Sequence, residues 1–367
     1  MVYFCSKNQF FHQRNYKMSN AKPAPLVGLL VSKGSKEETF LGDIAFFKDL
    51  QKEMTSNGGS LFLFLLEGIQ QDSITGYMFY EGQNKWRRQH FPYPDLIYNR
   101  ISSRAEESNP SFLRLKELYK KKNRYFFNPC FFNKIECYTL LSSIRTLQPF
   151  LPKTWPYTSM EDLLKKLSIY QTLFIKPVQG YKGKGIYKLA ANGTYFTVYH
   201  GSKKTNYLHY EFVSLIKKIC EKKQYLIQEE IHTDTIDRCK YDLRIHCLYN
   251  RGKHTITGIG VRKAAQDSIM THVPHGGHII SVDEIKHRLN EDTLKSLAEQ
   301  IGQSLSSFYG FVGEFSMDIG LTRDYEPILF EVNSKPMKFD EQDIQIERIK
   351  RLSKLFVALA AEPKIDE

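Results

Sequence analysis

Glu314-Phe-Ser-Met-Asp318-Ile-Gly, followed by Pro327-Ile-Leu-Phe-Glu331-Val-Asn333-Ser-Lys-Pro336, is the stretch that decides how this chain is read. It has the pattern of two strands joined by a turn. Side chains alternate faces along a strand, so Glu331 and Asn333 share one side while Phe330 and Val332 face the other. Asp318 shares its side with Glu314 and Ser316, which leaves Phe315, Met317 and Ile319 for the core. A turn centred on Asp324-Tyr325 sets Asp318 opposite Glu331. Two carboxylates and a side-chain amide then converge. Clustered oxygen donors suit a hard cation such as Mg²⁺, which takes one or two carboxylates together with substrate phosphates. A satisfied surface hairpin carries the same local pattern, so the rest of the chain has to discriminate.

The second signal lies upstream, in Phe174-Ile-Lys176-Pro-Val-Gln-Gly180-Tyr-Lys-Gly183-Lys-Gly185-Ile. Closely spaced glycines let the backbone turn sharply and bring N–H groups near phosphate oxygens. Lys176 sits on the strand that leads in, and Lys182 and Lys184 add positive potential at the tip. A Walker A loop is excluded, because that motif opens a helix and here residues 186–189 read as a strand. Strand, glycine loop, strand is the pattern of a flap over phosphates, as in the kinase glycine-rich loop. An ordinary glycine hairpin is the plain alternative.

Composition bounds these readings. With 367 residues, 41% hydrophobic and 25% charged, the chain has the make-up of a soluble globular protein of two or three domains. No apolar run approaches the roughly 20 residues of a membrane span, so no membrane partner is expected. The six cysteines form no C-x-x-C pair and no zinc-like spacing, which points to free thiols in a reducing cytoplasm. A net charge of +12 points to an anionic substrate or partner. No nucleic-acid-binding module is recognisable, so nucleic acid is not the expected partner.

Periodicity and punctuation divide the chain. Residues 1–24 read as a flexible extension without a signal-peptide pattern. Residues 25–125 read as a small α/β domain. It holds strands at 26–31, 61–66 and 94–100, a helix to about 56 capped by Asp43, and a basic helix over 110–122. Residues 126–231 hold a helix over 134–144 capped by Asn133 and a helix over 160–167 capped by Ser159. Their strands fall at 172–177, 186–189 and 225–231, with a helix over 210–221. Residues 232–367 open with a hairpin pairing 242–249 with 255–262, then a helix over 292–308, the two carboxylate strands, and an amphipathic helix over 340–360.

The order of these parts resembles the ATP-grasp superfamily over roughly residues 126–340, and an ordered set is far more specific than any one motif. Lys134 matches the first ATP-phosphate lysine and Lys176 the second. Gly180, Gly183 and Gly185 match the flexible loop. Gln228, Glu229, Glu230 and Ile231 match the adenine hinge. Arg244 and Arg262 match the substrate and γ-phosphate arginines, and Asp318, Glu331 and Asn333 match the magnesium ligands. A cross-strand salt bridge is the plain alternative for Arg244. Within the superfamily, residues 94–100, Phe127-Asn-Pro129 and Val261-Arg-Lys-Ala264 resemble the YheC/YheD family, associated with bacterial endospore coats. One departure is a histidine, His272, where related ligases carry an amide before a glycine pair. His272 and His275 read as loop histidines.

The resemblance implies an α/β (α+β) ATP-grasp fold behind a pre-ATP-grasp α/β domain at residues 25–125. It also implies an N-terminal ATP-grasp lobe at 126–231 and a C-terminal lobe with the metal site at 232–367. The cofactors it implies are ATP and Mg²⁺, with two ions expected and Mn²⁺ an alternative. The activity it implies is ligation of a small-molecule or peptide carboxylate to an amine through an acylphosphate, in the cytoplasm or in association with the spore. The 180–185 loop would close as a lid. A phosphotransferase acting on a hydroxyl, or a non-catalytic ATP-binding coat or scaffold protein, would use the same nucleotide site.

Overall fold

Residues 26–127 alternate strands and helices: β1 (Leu26–Leu30), β2 (Ser32–Lys33), β3 (Phe40–Leu41), α1 (Ile44–Ser56), β4 (Ser60–Ile69), β5 (Ile74–Tyr80), β6 (Lys85–Phe91), β7 (Leu96–Asn99), α2 (Arg104–Glu107), α3 (Pro110–Lys121) and β8 (Phe126–Phe127). The computed structural model describes residues 24–36, 39–180, 185–201, 203–266, 271 and 276–361. The first sheet has the order β6-β5-β4-β1-β7-β8, with β1 parallel to β4 and β7. Helix α1 starts where expected, because the Asp43 carboxylate accepts the Phe46 N–H at 3.1 Å.

The second sheet follows α4 (Lys134–Ser142). Its elements are β9 (Thr154–Pro156), α5 (Met160–Tyr170), β10 (Thr172–Pro177), β11 (Tyr187–Asn192), β12 (Tyr195–His200), β13 (Lys203–Tyr207), α6 (His209–Cys220) and β14 (Tyr225–Glu229). They assemble antiparallel in the order β13-β12-β11-β10-β14-β9. Leu173, Ile175, Leu189, Val198 and Ile227 bury one face against Leu163, Leu167, Phe212 and Ile216 of α5 and α6. Alternation then assigns Phe174, Lys176 and Lys188 to the other face.

The third sheet contains β15 (Thr235–Ile236), β16 (Cys239–Asn250), β17 (Lys253–Lys263), β18 (His278–Ile280), β19 (Glu314–Leu321) and β20 (Pro327–Asn333), with helices α7 (Glu291–Tyr309) and α8 (Gln342–Ala361). Its main path is β18-β17-β16-β19-β20. The turn between β16 and β17 is Arg251-Gly252, with φ of 48° and 93°, the doubly left-handed turn that matches strand twist. Leu294, Leu297, Ile301 and Leu305 of α7 pack on Leu243, Ile245, Phe315, Met317 and Ile319. A fully buried side chain of this size contributes about 1.5–3 kcal/mol. Ile349, Leu352, Phe356 and Leu359 of α8 share a second core with Val27, Leu29, Phe47 and Leu50. The last helix therefore binds the first sheet to the third.

Boundaries moved modestly from the expected ones. Helix α5 runs on to Tyr170 and α8 begins at Gln342. The hairpins β5–β6 and β12–β13 had no counterpart in the sequence reading. Their outer strands β6 and β13 are sheet edges with mostly exposed residues, so they carry no hydrophobic alternation to detect. The extension before residue 24, the loop residues Lys182, Gly183 and Lys184, and both His272 and His275 lie outside the described residues. Among the described residues, no helix is long and apolar enough to cross a membrane.

Candidate active site

Register builds the site. Across β17, β16, β19 and β20, Gly260 pairs with Arg244, Arg244 with Asp318, and Asp318 with Glu331. One step along, Arg262 pairs with Asp242, and Ser316 pairs with Asn333. Residues directly opposed in a sheet point to one face. Here that face lies opposite the α7 core, and it carries Arg244, Arg262, Asp318, Glu331 and Asn333.

A β-bulge makes this register possible. Asp318 pairs with Glu331, but Ile319 pairs with Leu329, so Phe330 is an extra residue on β20. The expectation that Phe330 faces away from Glu331 is therefore corrected. A Cβ on Gly320, two residues from Asp318 and on its face, would run into the Phe330 ring. Leu329 takes the core position instead. Without the inserted residue, the pairing near the turn would carry Asp318 past Glu331 by one position.

Charges interlock on this face. Arg244 donates from Nε and Nη2 to the two oxygens of Asp318, each at 3.1 Å. The cross-strand salt bridge is thus present, and it joins two of the expected site residues. Arg262 donates to Asp242 at 2.9 and 2.5 Å, and its Nη2 lies 3.3 Å from Asp318 Oδ1. Burial alone would lower the Arg262 pKa, but Asp318 and Asp242 outweigh it and hold the guanidinium above its ordinary range. Lys134, which opens α4 behind the Asn133 cap, pairs with Glu331. Asn333 Nδ2 lies 3.5 Å from Asp318 Oδ2.

Lys176 reaches the same place from the second sheet. Its Nζ donates to Gln228 Oε1 at 2.5 Å, and Gln228 in turn donates to Thr154 at 2.9 Å. Burial pushes the Lys176 pKa down to about 8; Lys134 adds to the shift, while Glu331 and Asp318 oppose it. Lys134, Lys176, Glu331 and Asp318 therefore lie within electrostatic reach of one another. Strand β14 ends at Glu229, whose carboxylate accepts the Lys153 N–H at 2.7 Å. Glu230 pairs with Lys188 at 2.7 Å and Lys240 at 3.3 Å, and Ile231 follows it out of the sheet. Gly180 and Gly185 flank the loop, and Gly185 has a φ of 78° that favours glycine.

Three tethers behind the site escaped the sequence reading. Glu314 shares a strand face with Asp318 but is fully buried in a network of its own. It pairs with Arg348 at 2.9 and 3.0 Å, Arg100 at 3.3 Å, His246 at 3.0 Å, and Tyr98. Burial would raise its pKa, yet Arg348, the His246 hydrogen bond and Arg100 hold it far below the carboxylate range. Asn128 donates to the Glu314 and Ser334 carbonyls and accepts from Gly313 and Glu314. Lys335 bonds Ile101 at 2.8 Å, Asn99 at 3.1 Å and Glu107 at 2.6 Å. The first sheet thereby clamps both ends of the β19–β20 hairpin. The sequence signals were Arg100 at a strand end and Asn128 within Phe127-Asn-Pro129; Asp95, the companion of Arg100, instead accepts the Leu26 N–H at 3.1 Å.

The donor set fits magnesium. Asp318, Glu331 and Asn333 offer hard oxygen atoms from neighbouring strands, the one-or-two-carboxylate pattern that Mg²⁺ completes with phosphates. Among the described residues there is no cluster of three or more His, Cys, Asp or Glu that could hold a metal ion.

Residues 123–361 match the family model described as YheC/D like ATP-grasp. The endospore coat-associated protein YheD of Bacillus subtilis (strain 168) is 28% identical over 330 residues, covering 85% of this chain and 72% of YheD. Among solved structures, D-alanyl-alanine synthetase A from Vibrio cholerae superposes with a TM-score of 0.56 at 14% identity, covering 94% of this chain and all of that one (100%). The macrocyclase MdnC of Microcystis aeruginosa, bound with precursor peptide MdnA, gives 0.54 at 13% identity over 91% of this chain and 99% of its own. At such identities the likeness establishes the ATP-grasp fold.

Proposed function

The chain belongs to the YheC/D-like ATP-grasp family, and on that premise we propose that it is an ATP- and Mg-dependent ligase joining a carboxylate to an amine through an acylphosphate. One observation carries the reading: the cations Lys134, Lys176, Arg244 and Arg262 surround the neighbouring carboxylates Asp318 and Glu331. That balance suits a substrate with several negative charges delivered together with a divalent ion. ATP-grasp neighbours whose names specify D-alanyl-alanine synthesis and peptide macrocyclisation support ligation.

In this mechanism a carboxylate oxygen of the donor attacks the γ-phosphorus. An O–P bond forms, the bond to the β-phosphate oxygen breaks, and ADP leaves. The acceptor nitrogen then attacks the acyl carbon, phosphate departs, and the nitrogen gives up a proton. Chemistry of this kind depends on positioning and charge neutralisation. Lys134 and Lys176 would hold the α- and β-phosphates. Arg244 and Arg262 would turn from Asp318 towards the γ-phosphoryl oxygens or the donor carboxylate, using a planar fork that lysine lacks. Gln228 orients Lys176, and the backbone at Glu230 and Ile231 would meet the adenine edge. Magnesium held by Asp318, Glu331 and Asn333 would supply the positive charge that offsets the β- and γ-phosphate oxygens. The coat association in the name of YheD supports a role in spore formation.

The test is product accounting over a panel of amino acids and small peptides. ADP and free phosphate released in equal amounts with a new amide support the ligase. ADP released with a phosphorylated product and no free phosphate would replace it with a hydroxyl phosphotransferase. Absence of Mg-ATP binding would remove the enzymatic reading altogether.

A further inference from the structure

Strand β17 carries two glycines, Gly258 and Gly260, on the face that holds Arg244 and Arg262. They leave bare backbone there, and the start of α8 fills it. A Cβ on Gly258 would lie 2.5 Å from Ile344 Cγ2, and one on Gly260 would lie 2.5 Å from Glu341 Oε1 and 2.9 Å from Oε2. The Glu341 carboxylate therefore rests on Gly260. Gly260 pairs with Arg244, and Arg244 with Asp318, so the carboxylate sits over the site sheet two strands from Asp318. Strand spacing makes that offset about 10 Å.

Glu341 Oε1 is buried and has no hydrogen-bond partner. Among the described residues one other buried side-chain atom shares this condition, Arg124 Nε, and it lies by the first sheet. Arg262 is close enough to act on Glu341 electrostatically, but its hydrogen bonds go to Asp242 and its remaining contact to Asp318. Desolvation raises the Glu341 pKa, and the neighbouring Asp340 and Asp343 add to it against its own backbone N–H and Arg262. Glu341 as a whole is half-buried, so the enclosed Oε1 is the costly part, and it calls for a donor. The group that meets a half-buried carboxylate oxygen best is a cationic donor.

We propose that Glu341 receives a positively charged group of the acceptor substrate, an ammonium or guanidinium displaced by several ångströms from the reacting nitrogen. The acceptor then carries a second cationic nitrogen besides the reacting one, as a basic amino acid or a diamine does. This rests on the ligase reading and adds the acceptor's chemical class to it. Gly260 belongs to the same device, since any side chain there would displace the carboxylate.

The probes are 1,4-diaminobutane and the uncharged, similarly sized 1,4-butanediol, titrated calorimetrically into the protein saturated with Mg and a non-hydrolysable ATP analogue. The wild type should prefer the diamine by about tenfold or more, the effect of one charge-assisted hydrogen bond. Glu341→Gln should abolish the preference. Gly260→Ala should weaken it without changing any charge, because the new Cβ would meet only the flexible end of the Glu341 side chain. Neither variant should alter affinity for the nucleotide analogue, which a general loss of structure would. A wild type that binds the analogue but shows no diamine preference would overturn the inference alone, as would a preference that survives Glu341→Gln. A wild type that fails to bind the analogue would overturn the ligase reading, and this inference with it.

Discussion

Replacing Lys176 with methionine should make the protein more stable and its nucleotide binding far weaker, and pH should expose the reason. Burial moves the Lys176 pKa from 10.5 down to about 8. At about 1.36 kcal/mol per unit, holding the charged form costs the folded protein about 3 kcal/mol at neutral pH. The sign follows from proton counting. Between about pH 8 and pH 10.5 the unfolded chain binds the proton and the folded one does not, so this group adds stability as pH rises through that window. A triphosphate stabilises the ammonium and moves its pKa back up. Affinity for a Mg-bound, non-hydrolysable ATP analogue should therefore fall between about pH 8 and 9.5, by up to tenfold per unit. Calorimetry in two buffers of different ionisation enthalpy should show uptake approaching one proton at about pH 9. Lys176→Met should erase both the slope and the uptake, and weaken binding by about 100-fold, the equivalent of roughly 3 kcal/mol. Lys335, which is also pushed down to about 8 but bonds Glu107, Asn99 and Ile101, is the control: Lys335→Met should keep the uptake. Flat affinity across this pH range, or uptake that persists in Lys176→Met, would refute the reasoning.

Other outcomes follow from the same contacts. Asp318→Ala and Glu331→Ala should each abolish Mg-ATP turnover with the circular dichroism spectrum retained; full turnover in the double variant would reject the metal assignment. Arg262→Lys should lower turnover more than nucleotide affinity, since one ammonium cannot span Asp242 and Asp318 as the guanidinium does. Equal losses in both would count against a role for Arg262 in the transition state. Glu314→Gln should cost about 3–5 kcal/mol in urea denaturation, because it strips the partner from the buried Arg348. The Glu314 carboxyl titrates far lower folded than its unfolded 4.5, so its contribution is complete above that pH and is lost as pH falls through the folded value. Unchanged acid stability in the variant would contradict this account.

What could be read in advance was whatever short range determines. Asp43, Asn133 and Ser159 each accept N–H groups from the first turn of the helix they were expected to start. The pairing of Asp318 with Glu331 came from alternation and the position of a turn, although the structure reaches it through a bulge at Phe330. Sequence spacing carries no sign of that insertion, because a bulge is chosen by how the strand packs on its neighbours. The edge strands β6 and β13 were illegible for a related reason, since a solvated strand needs no apolar period.

The sequence alone determined the main helices and the buried strands, the order of the nucleotide-type motifs and the family they imply, because caps, turns and periodicities act over a few residues. Only the tertiary structure decided which charges meet. Tyr98 finds Glu314 across 216 positions and Asn128 finds Ser334 across 206. Glu341 settles on Gly260 because a helix and a strand far apart in the chain leave space for it. A carboxylate's partner and its burial are properties of the assembled sheets, and no local pattern encodes them.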